Sequence, residues 1–317
     1  MVKLSNPSCA EELAARLPPI GRFAPSPSGP LHFGSLLAAL GSYLSIRSQG
    51  GLWRLRIEDL DPLRTVPGSE DELQRTLERL GLEWDGPLLR QSERSAVYEA
   101  ALQQLAAQGV LFLCCCSRKE ILATAPHAGE EGPIYPGTCR DGLRAGEKAR
   151  ALRLRVDESS IAFVDALYGP CQQNLAAEVG DFVLKRADGL FGYQLAVVID
   201  DGDSGITEVV RGADLLASTP RQIYLQRLLG LPTPNYLHLP LALGDDGEKL
   251  SKRHLRYALP DDPERALYNA LTFLGQAPPP ELRGAPPKEL LVWAVANFTV
   301  AAIHRENRRA LEMSNNN

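Results

Sequence analysis

Three features of the sequence predict an α/β fold in which a parallel sheet is covered by helices and interrupted by a loop-rich insertion. Strand-like and helix-like periodicities alternate from residue 19 to about 113, the arrangement in which crossover helices join parallel strands. From about 114 to 175 this pattern gives way to glycines, prolines, cysteines and short strands, and then alternation resumes. Beyond about residue 241 a glycine-rich loop is followed only by helical patterns. The expected division is 1–113 with 176–240 as two halves of one α/β domain, 114–175 as an insertion, and 241–317 as a loop plus a small helical domain.

Each element has its own signal. Residues 19–24 (PIGRFA) read as a short strand, stopped by the rigid loop PSPSGP. Leu36, Leu37, Leu40 and Leu44 recur at helical spacing and predict a helix over about 31–47. GLWRLRIE alternates, with Trp53, Leu55 and Ile57 on one face and Arg54, Arg56 and Glu58 on the other, as a strand does. SEDELQRTLERLG reads as a helix capped by Ser69 and stopped by Gly81. A further helix over 92–108 precedes the strand VLFLC, and ALRLRV and IAFVD are short strands within the insertion. The apolar run YQLAVVID reads as a buried strand and ITEVV as another. They are followed by a helix, STPRQIYLQRLLG, capped by Ser218 with Pro220 early. DDPERALYNALTFLG and PPKELLVWAVANF close the chain as helices.

Composition narrows the class of protein. The chain has 317 residues, 44% hydrophobic and 23% charged, enough to bury a core without disulfide staples. Its net charge of −5 argues against indiscriminate nucleic-acid binding, so any contact with RNA is expected to be a local basic patch. The beginning of the chain lacks the basic-then-apolar layout of an export signal, and no run of 18 apolar residues could span a membrane. A cytoplasmic location is expected. The six cysteines (Cys9, Cys114, Cys115, Cys116, Cys139 and Cys171) then read as reduced thiols or metal ligands.

Three of those cysteines are consecutive. In a strand, residues two apart face one side, so Cys114 and Cys116 could grip one ion while Cys115 points away. Cys139 follows in Tyr135-Pro136-Gly137-Thr138-Cys139. For a fourth ligand, elementary chemistry favours His127 over Tyr135, since imidazole binds zinc readily and a phenol titrates near 10. A bound dication can nevertheless lower a phenol's pKa enough for tyrosinate to serve.

Several motifs are those of a known family. Arg22-Phe23-Ala24-Pro25-Ser26-Pro27-Ser28-Gly29-Pro30-Leu31-His32-Phe33-Gly34-Ser35 resembles the first signature of the class I glutamyl- and glutaminyl-tRNA synthetases, and Lys249-Leu250-Ser251-Lys252-Arg253 resembles the second. RIEDLDPLR and YQLAVVIDD…VVRGADLLASTPRQ lie between them in the family's order, so the likeness spans roughly residues 20–255. Ser35 departs from the histidine common at the last place of the first signature. Neither GxxxxGK[ST] nor GxGxxG competes as a nucleotide site.

The resemblance implies a Rossmann-like catalytic domain that binds ATP and L-glutamate. His32, Gly34, Lys249 and Lys252 would hold ATP, with His32 and Lys252 as the catalytic pair. His32 stands at a helix start, where free N–H groups favour phosphate. Lys252 would stabilise the charge that builds as pyrophosphate leaves. Glutamate carries two carboxylates and one ammonium, so its pocket needs fixed cations and a fixed anion. Arg22 and Arg211 supply planar forks, Glu58 an anion, Tyr193 a hydroxyl, and Ala24 and Ser26 line the same loop. Val197 stands where glutamyl-tRNA synthetases often carry asparagine, so the pocket is similar rather than identical.

Cys-x-Cys followed by Tyr-x3-Cys is similar to a subgroup of synthetase-like proteins, which implies one structural Zn²⁺ per chain on Cys114, Cys116, Tyr135 and Cys139. Only residues 254–317 follow the second signature, too few for the large anticodon-reading domains of glutamyl-tRNA synthetases. With the zinc site, that makes the chain resemble the glutamyl-Q tRNA(Asp) synthetases. The resemblance implies ATP-dependent activation of glutamate, with Mg²⁺, and its transfer to queuosine in the anticodon of tRNA(Asp). The protein would act as a monomer. Arg118, Lys119, Arg140, Arg144, Lys148 and Arg150 are candidates for phosphate contacts, and no side chain is assigned as general base. The alternatives are a truncated glutamyl-tRNA synthetase that charges a 3′ end, or a non-catalytic RNA-binding paralogue.

Overall fold

A computed structural model describes residues 17–124, 128–129, 132–143, 146–244, 246–250, 259 and 262–310. Strand β1 (Ile20–Phe23) leads through the proline-rich loop into helix α1 (Phe33–Arg47), which returns the chain to β2 (Leu52–Ile57). Helix α2 (Ser69–Arg79) then returns it to the short strand β3 (Leu89–Arg90). The three strands pair in parallel in the order β1–β2–β3, as the alternation of elements predicts. The leucines of α1 turn toward the sheet, where Leu36, Leu40 and Leu44 are fully buried with Trp53, Leu55 and Ile57. Ser69 is the first helical residue of α2 and not its cap. The cap is Gly68 in the left-handed region, and the Ser69 hydroxyl donates to the Pro27 and Val66 carbonyls instead.

Helix α3 (Ser95–Ala107) leads to β4 (Leu111–Cys114), which leaves the parallel sheet and joins β5 (Ala151–Leu154) and β8 (Phe182–Lys185) in an antiparallel one. Between β5 and β8 run β6 (Ser160–Asp165) and β7 (Gly169–Asn174). Although they fall within the expected insertion, they extend the second half of the α/β domain, in the order β9–β10–β6–β7. Here β9 is Glu208–Gly212 and β10 is Asn235–Leu239, and β9, β10 and β6 are mutually parallel. The two half-sheets meet where β1 lies beside β9, tied by the Thr207 amide donating to the Ile20 carbonyl at 2.9 Å.

YQLAVVID is a correction. Tyr193–Asp203 is an α-helix, not a strand. Every residue from Gln194 to Asp201 is buried, so the apolar run has no polar face to reveal the helical period. Helix α4 is therefore Tyr193–Asp203, and α5, Thr219–Leu229, follows β9 with Pro220 in its first turn. Ser218 occupies the cap position of α5 without a side-chain capping bond. Helices α6 (Pro263–Phe273) and α7 (Pro287–Asn297) pack on α1, sharing its core, with Phe273 edge-on to Phe33 at 5.7 Å. Asp262 caps α6 by accepting from the Arg265 amide. Among the described residues no helix is long and apolar enough to cross a membrane.

Candidate active site

Crevices form at the carboxyl ends of parallel strands where a sheet reverses its strand order. The junction of β1 with β9 is such a place, and a cavity of about 450 Å³ opens there. Arg22, Ala24, Ser26, His32, Gly34, Glu58, Tyr193, Arg211 and Lys249 all line it. These residues were expected to act together, and they come from β1, its following loop, α1, the end of β2, α4, β9 and the second signature. Lys252, with Ser251 and Arg253, lies outside the described residues, so the catalytic lysine expected there has no described position.

His32 caps α1, its Nδ1 accepting from the Ser35 amide at 3.3 Å. Gly34 packs beneath that ring: a Cβ built on it would stand 3.1 Å from the imidazole, so any side chain there would push His32. Lys249 pairs with Asp214 at the rim.

The two arginine forks are already occupied by protein groups. Arg22 grips Asp201 of α4 through Nε and Nη2 at 3.0 and 3.3 Å. Asp201 also accepts from Arg56 Nη1 at 2.6 Å, while Arg56 Nη2 reaches Glu58 at 3.1 Å. Asp200 next to it accepts from Gln91, Arg94 and Tyr98. Burial alone would push these charged groups toward neutrality. Against that, Arg22 and Arg56 hold the Asp201 carboxyl below the ordinary range, and Asp201 and Glu58 hold Arg56 above its own. Burial wins at Glu58, whose pKa rises despite Arg56 and Arg22, and it raises the Tyr193 hydroxyl as well.

Arg211 is fixed on every side. Its Nε lies 3.1 Å from His238 Nε2, its Nη1 donates to Gln222 at 2.8 Å, and its Nη2 donates to Thr219 at 2.9 Å and to the Leu215 carbonyl at 3.3 Å. His238 in turn is 2.7 Å from Asp165 through Nδ1. Asp201, Arg56, Asp165, His238 and Gln222 were all missed from the sequence. A helical reading of YQLAVVIDD would have set Asp200 and Asp201 two turns along from Tyr193 and pointed to the first pair. The aspartate closing IAFVD and the histidine in NYLHL carry no motif of their own.

A second cluster sits in the insertion. The Cys114, Cys116 and Cys139 sulfurs all lie within 4.8 Å of one another, an arrangement that could hold a metal ion. Tyr135 Oη is 3.5 Å from Cys114 Sγ and 3.9 Å from Cys116 Sγ. Gly137, at a φ of 79°, lets the chain turn back so that the Cys139 amide donates to Tyr135 Oη at 2.8 Å. Cys115 does not simply point away: its sulfur is 3.5 Å from Cys139 Sγ, because β4 ends at Cys114 and strand alternation stops with it. Burial pushes the Cys116 thiol up to about 12 and raises Tyr135 too. At Cys114 burial acts upward as well, but hydrogen bonding with Tyr135 and Arg153 brings the thiol below its usual value. The Arg153 guanidinium lies 3.9 Å over the Tyr135 ring. His127, the other candidate ligand, falls outside the described residues.

The chain is similar to known proteins. The family described as "tRNA synthetases class I (E and Q), catalytic domain" matches residues 20–288. A glutamyl-Q tRNA(Asp) synthetase of Dechloromonas aromatica is 56% identical over 289 residues, covering 90% of this chain and 96% of its own. Another, from Geobacter sulfurreducens, is 56% identical over 294 residues, covering 90% and 94%. The chain belongs to the glutamyl-Q tRNA(Asp) synthetase family. Among solved structures, a glutamate tRNA ligase from Elizabethkingia meningosepticum, in complex with its amino acid, superposes with a TM-score of 0.77 at 27% identity. That match covers 93% of this chain and 68% of the ligase. Membership of the family fits a cavity whose walls carry both fixed cations and a fixed anion.

Proposed function

We propose that this protein activates L-glutamate with ATP and transfers it to the queuosine base in the anticodon of tRNA(Asp). The observation that carries this reading is the cavity between β1 and β9, where Arg22, Arg211, Glu58 and Tyr193 meet His32 and Gly34. Arg211 and Arg22 receive the carboxylates of glutamate and Glu58 its ammonium, while Tyr193, Ala24 and Ser26 close the sides. Both forks are held by protein partners, so binding costs little reordering of these side chains.

His32 and Gly34 at the start of α1, with Lys249 and Lys252, take ATP. In the first step an α-carboxylate oxygen of glutamate bonds to the α-phosphorus and pyrophosphate leaves. In the second a queuosine hydroxyl oxygen bonds to the adenylate carbonyl carbon, AMP leaves and the hydroxyl proton is released. No side chain is assigned as base, since positioning and fixed charges can carry such transfers. Mg²⁺ travelling with ATP would neutralise phosphate charge.

The catalytic unit is the α/β domain up to residue 240, taking in β6 and β7 from within the expected insertion. That leaves the insertion as the stretch that carries the cysteine cluster and β5, and 241–317 as the second-signature loop with its helical domain. The three sulfurs and Tyr135 Oη suit one zinc ion, which prefers four ligands in a tetrahedron. Zinc bound there would fasten the turn of the insertion. A cavity of about 860 Å³ beside that cluster is lined by five arginines, Arg118, Arg150, Arg153, Arg186 and Arg221, against three carboxylates, Glu178, Asp181 and Asp188. That excess of positive charge supports a path for the RNA backbone. The protein works as a monomer in the cytoplasm.

The test uses labelled glutamate, ATP and tRNA(Asp) with and without queuosine. Transfer is expected only to the queuosine-bearing RNA, with label on the anticodon fragment after nuclease digestion. Label on the terminal adenosine would show instead a synthetase that charges the 3′ end.

A further inference from the structure

We propose that Asp165 and His238 form a buried relay that sets the position of Arg211, with His238 held as the neutral Nδ1–H tautomer so that its Nε2 accepts from the guanidinium. The proposal rests on the role of Arg211 in binding glutamate given above. Three adjacent parallel strands contribute one member each. Arg211 on β9 is register partner of His238 on β10, and Asp165 ends β6 on the other side of β10. All three are buried, His238 completely. Asp165 and His238 are absent from the cavity wall, which makes them positioning residues and leaves contact with substrate to Arg211.

The tautomer follows from the partners at both ends of the ring. Asp165 Oδ1 accepts from the Leu167 and Tyr168 amides at 3.0 and 2.9 Å, and Oδ2 accepts from the His238 amide at 3.1 Å. A carboxylate receiving that many N–H bonds is ionised and has only lone pairs to offer, so His238 Nδ1, 2.7 Å away, carries the proton. At the other end a guanidinium has only donors, so His238 Nε2 must accept from Arg211 Nε at 3.1 Å. The Thr219 hydroxyl, 3.2 Å from Nε2, accepts from Arg211 Nη2 and can donate to the ring. An imidazolium would set N–H against N–H and one cation against another.

The groups facing the ring agree. Burial is the main influence lowering the His238 pKa, Arg211 and the more distant Arg22 act the same way, and Asp165 opposes them. The Tyr236 ring stacks on the imidazole at 6.1 Å. The neutral ring therefore fixes Arg211 Nε while Gln222 and Thr219 fix its two terminal nitrogens, leaving the fork one orientation.

Two experiments test the relay. In protein labelled with ¹⁵N in its histidine rings, the His238 signals, assigned by their loss in His238→Gln, should show Nδ1 protonated and Nε2 bare at neutral pH. An Nε2–H ring or an imidazolium would overturn the proposal. In glutamate-dependent ATP–pyrophosphate exchange, His238→Asn keeps a donor for Asp165 but gives Arg211 no acceptor. It should raise KM for glutamate about 10- to 100-fold and leave KM for ATP in place. His238→Gln reaches the Nε2 position with its amide oxygen and should recover most of that affinity. Asn equal to or better than Gln, or a loss confined to kcat, would mean that the histidine merely props Asp165. Wild-type protein whose exchange ignores glutamate would sink the role of Arg211 itself. In that case the ring signals alone decide the tautomer.

Discussion

The cavity between β1 and β9 and the cysteine cluster of the insertion both gather reactive side chains, but they hold them by different means. At the cavity the buried arginines are braced by other protein groups: Arg22 by Asp201, Arg56 behind it by Asp201 and Glu58, Arg211 by His238, Gln222 and Thr219. Those braces come from regular strands and helices packed in the two large apolar cores. The cysteine cluster has only a small core of its own, with Phe112, Ile121 and Tyr135, and its ligands sit on a strand end and a turn. A buried ionic network keeps its geometry without help, whereas three thiols and a phenol gain most from an ion in common. Removing one member should therefore destabilise the whole fold at the first and merely unfasten the second.

The sharpest test of that contrast is Asp201→Ala. It would leave two buried guanidiniums facing each other, and losing one partner of a buried pair costs about 3–5 kcal/mol. Chemical denaturation should show a loss of that order, and a change under about 1 kcal/mol would mean that the network is not what holds the sheet junction. Next in size is the insertion. Cys139→Ala should abolish zinc retention, and Cys115→Ser should keep one zinc per chain because Cys115 is outside the mutually close set. Metal analysis of protein purified without chelator reads both. Chelation of the wild type should expose the insertion to protease while leaving exchange activity measurable, and its failure to bind zinc at all would erase the distinction between the two regions.

pH separates them again. His238 has a folded pKa below the ordinary value of about 6.5 because it is buried. Above that pH it is neutral in both states. Below it the unfolded chain takes up a proton that the folded chain refuses, so stability falls as pH drops. Asp201 and Asp165 also have lowered pKa values, so their contribution is present above about 3.9 and is lost as pH falls through their folded values. The raised pKa of Glu58 works in the opposite sense as pH falls, so the histidine is read from the difference between wild type and His238→Gln. Stability of the wild type should fall more steeply from pH 7 to 4 than that of the variant, and equal slopes would contradict the buried neutral histidine.

What the sequence disclosed divides along physical lines. The parallel order of β1, β2 and β3 was legible because apolar residues alternate in GLWRLRIE and recur at helical spacing in α1. Helix α4 was not, since a run buried on all sides shows no period and its Val and Ile favour strands. The residues that line the cavity were legible as motifs on loops and strand ends. Their braces were not: Asp201 is 179 residues from Arg22, and nothing local marks it as an ion partner. Cys114, Cys116 and Cys139 were legible as thiols at ligand spacing, but the contact of Cys115 with Cys139 depends on where β4 ends.

The smallest expected effect concerns the rim, where neither kind of support operates. Lys249 pairs with Asp214, and about half of its side chain is exposed. Such a pair is worth only about 0–1 kcal/mol, because water screens it and the long side chain loses freedom in making it. Lys249→Ala should therefore leave the denaturation midpoint nearly unchanged, unlike Asp201→Ala. If Lys249 meets ATP as proposed, the same substitution should raise KM for ATP in pyrophosphate exchange severalfold while KM for glutamate stays within about twofold. Ionic strength offers an independent check, since added salt should weaken ATP binding in the wild type more than in the variant. An unchanged KM for ATP would make Lys249 a solvated rim charge held by Asp214, and the phosphate contacts would then fall to His32, the N-terminus of α1 and Lys252.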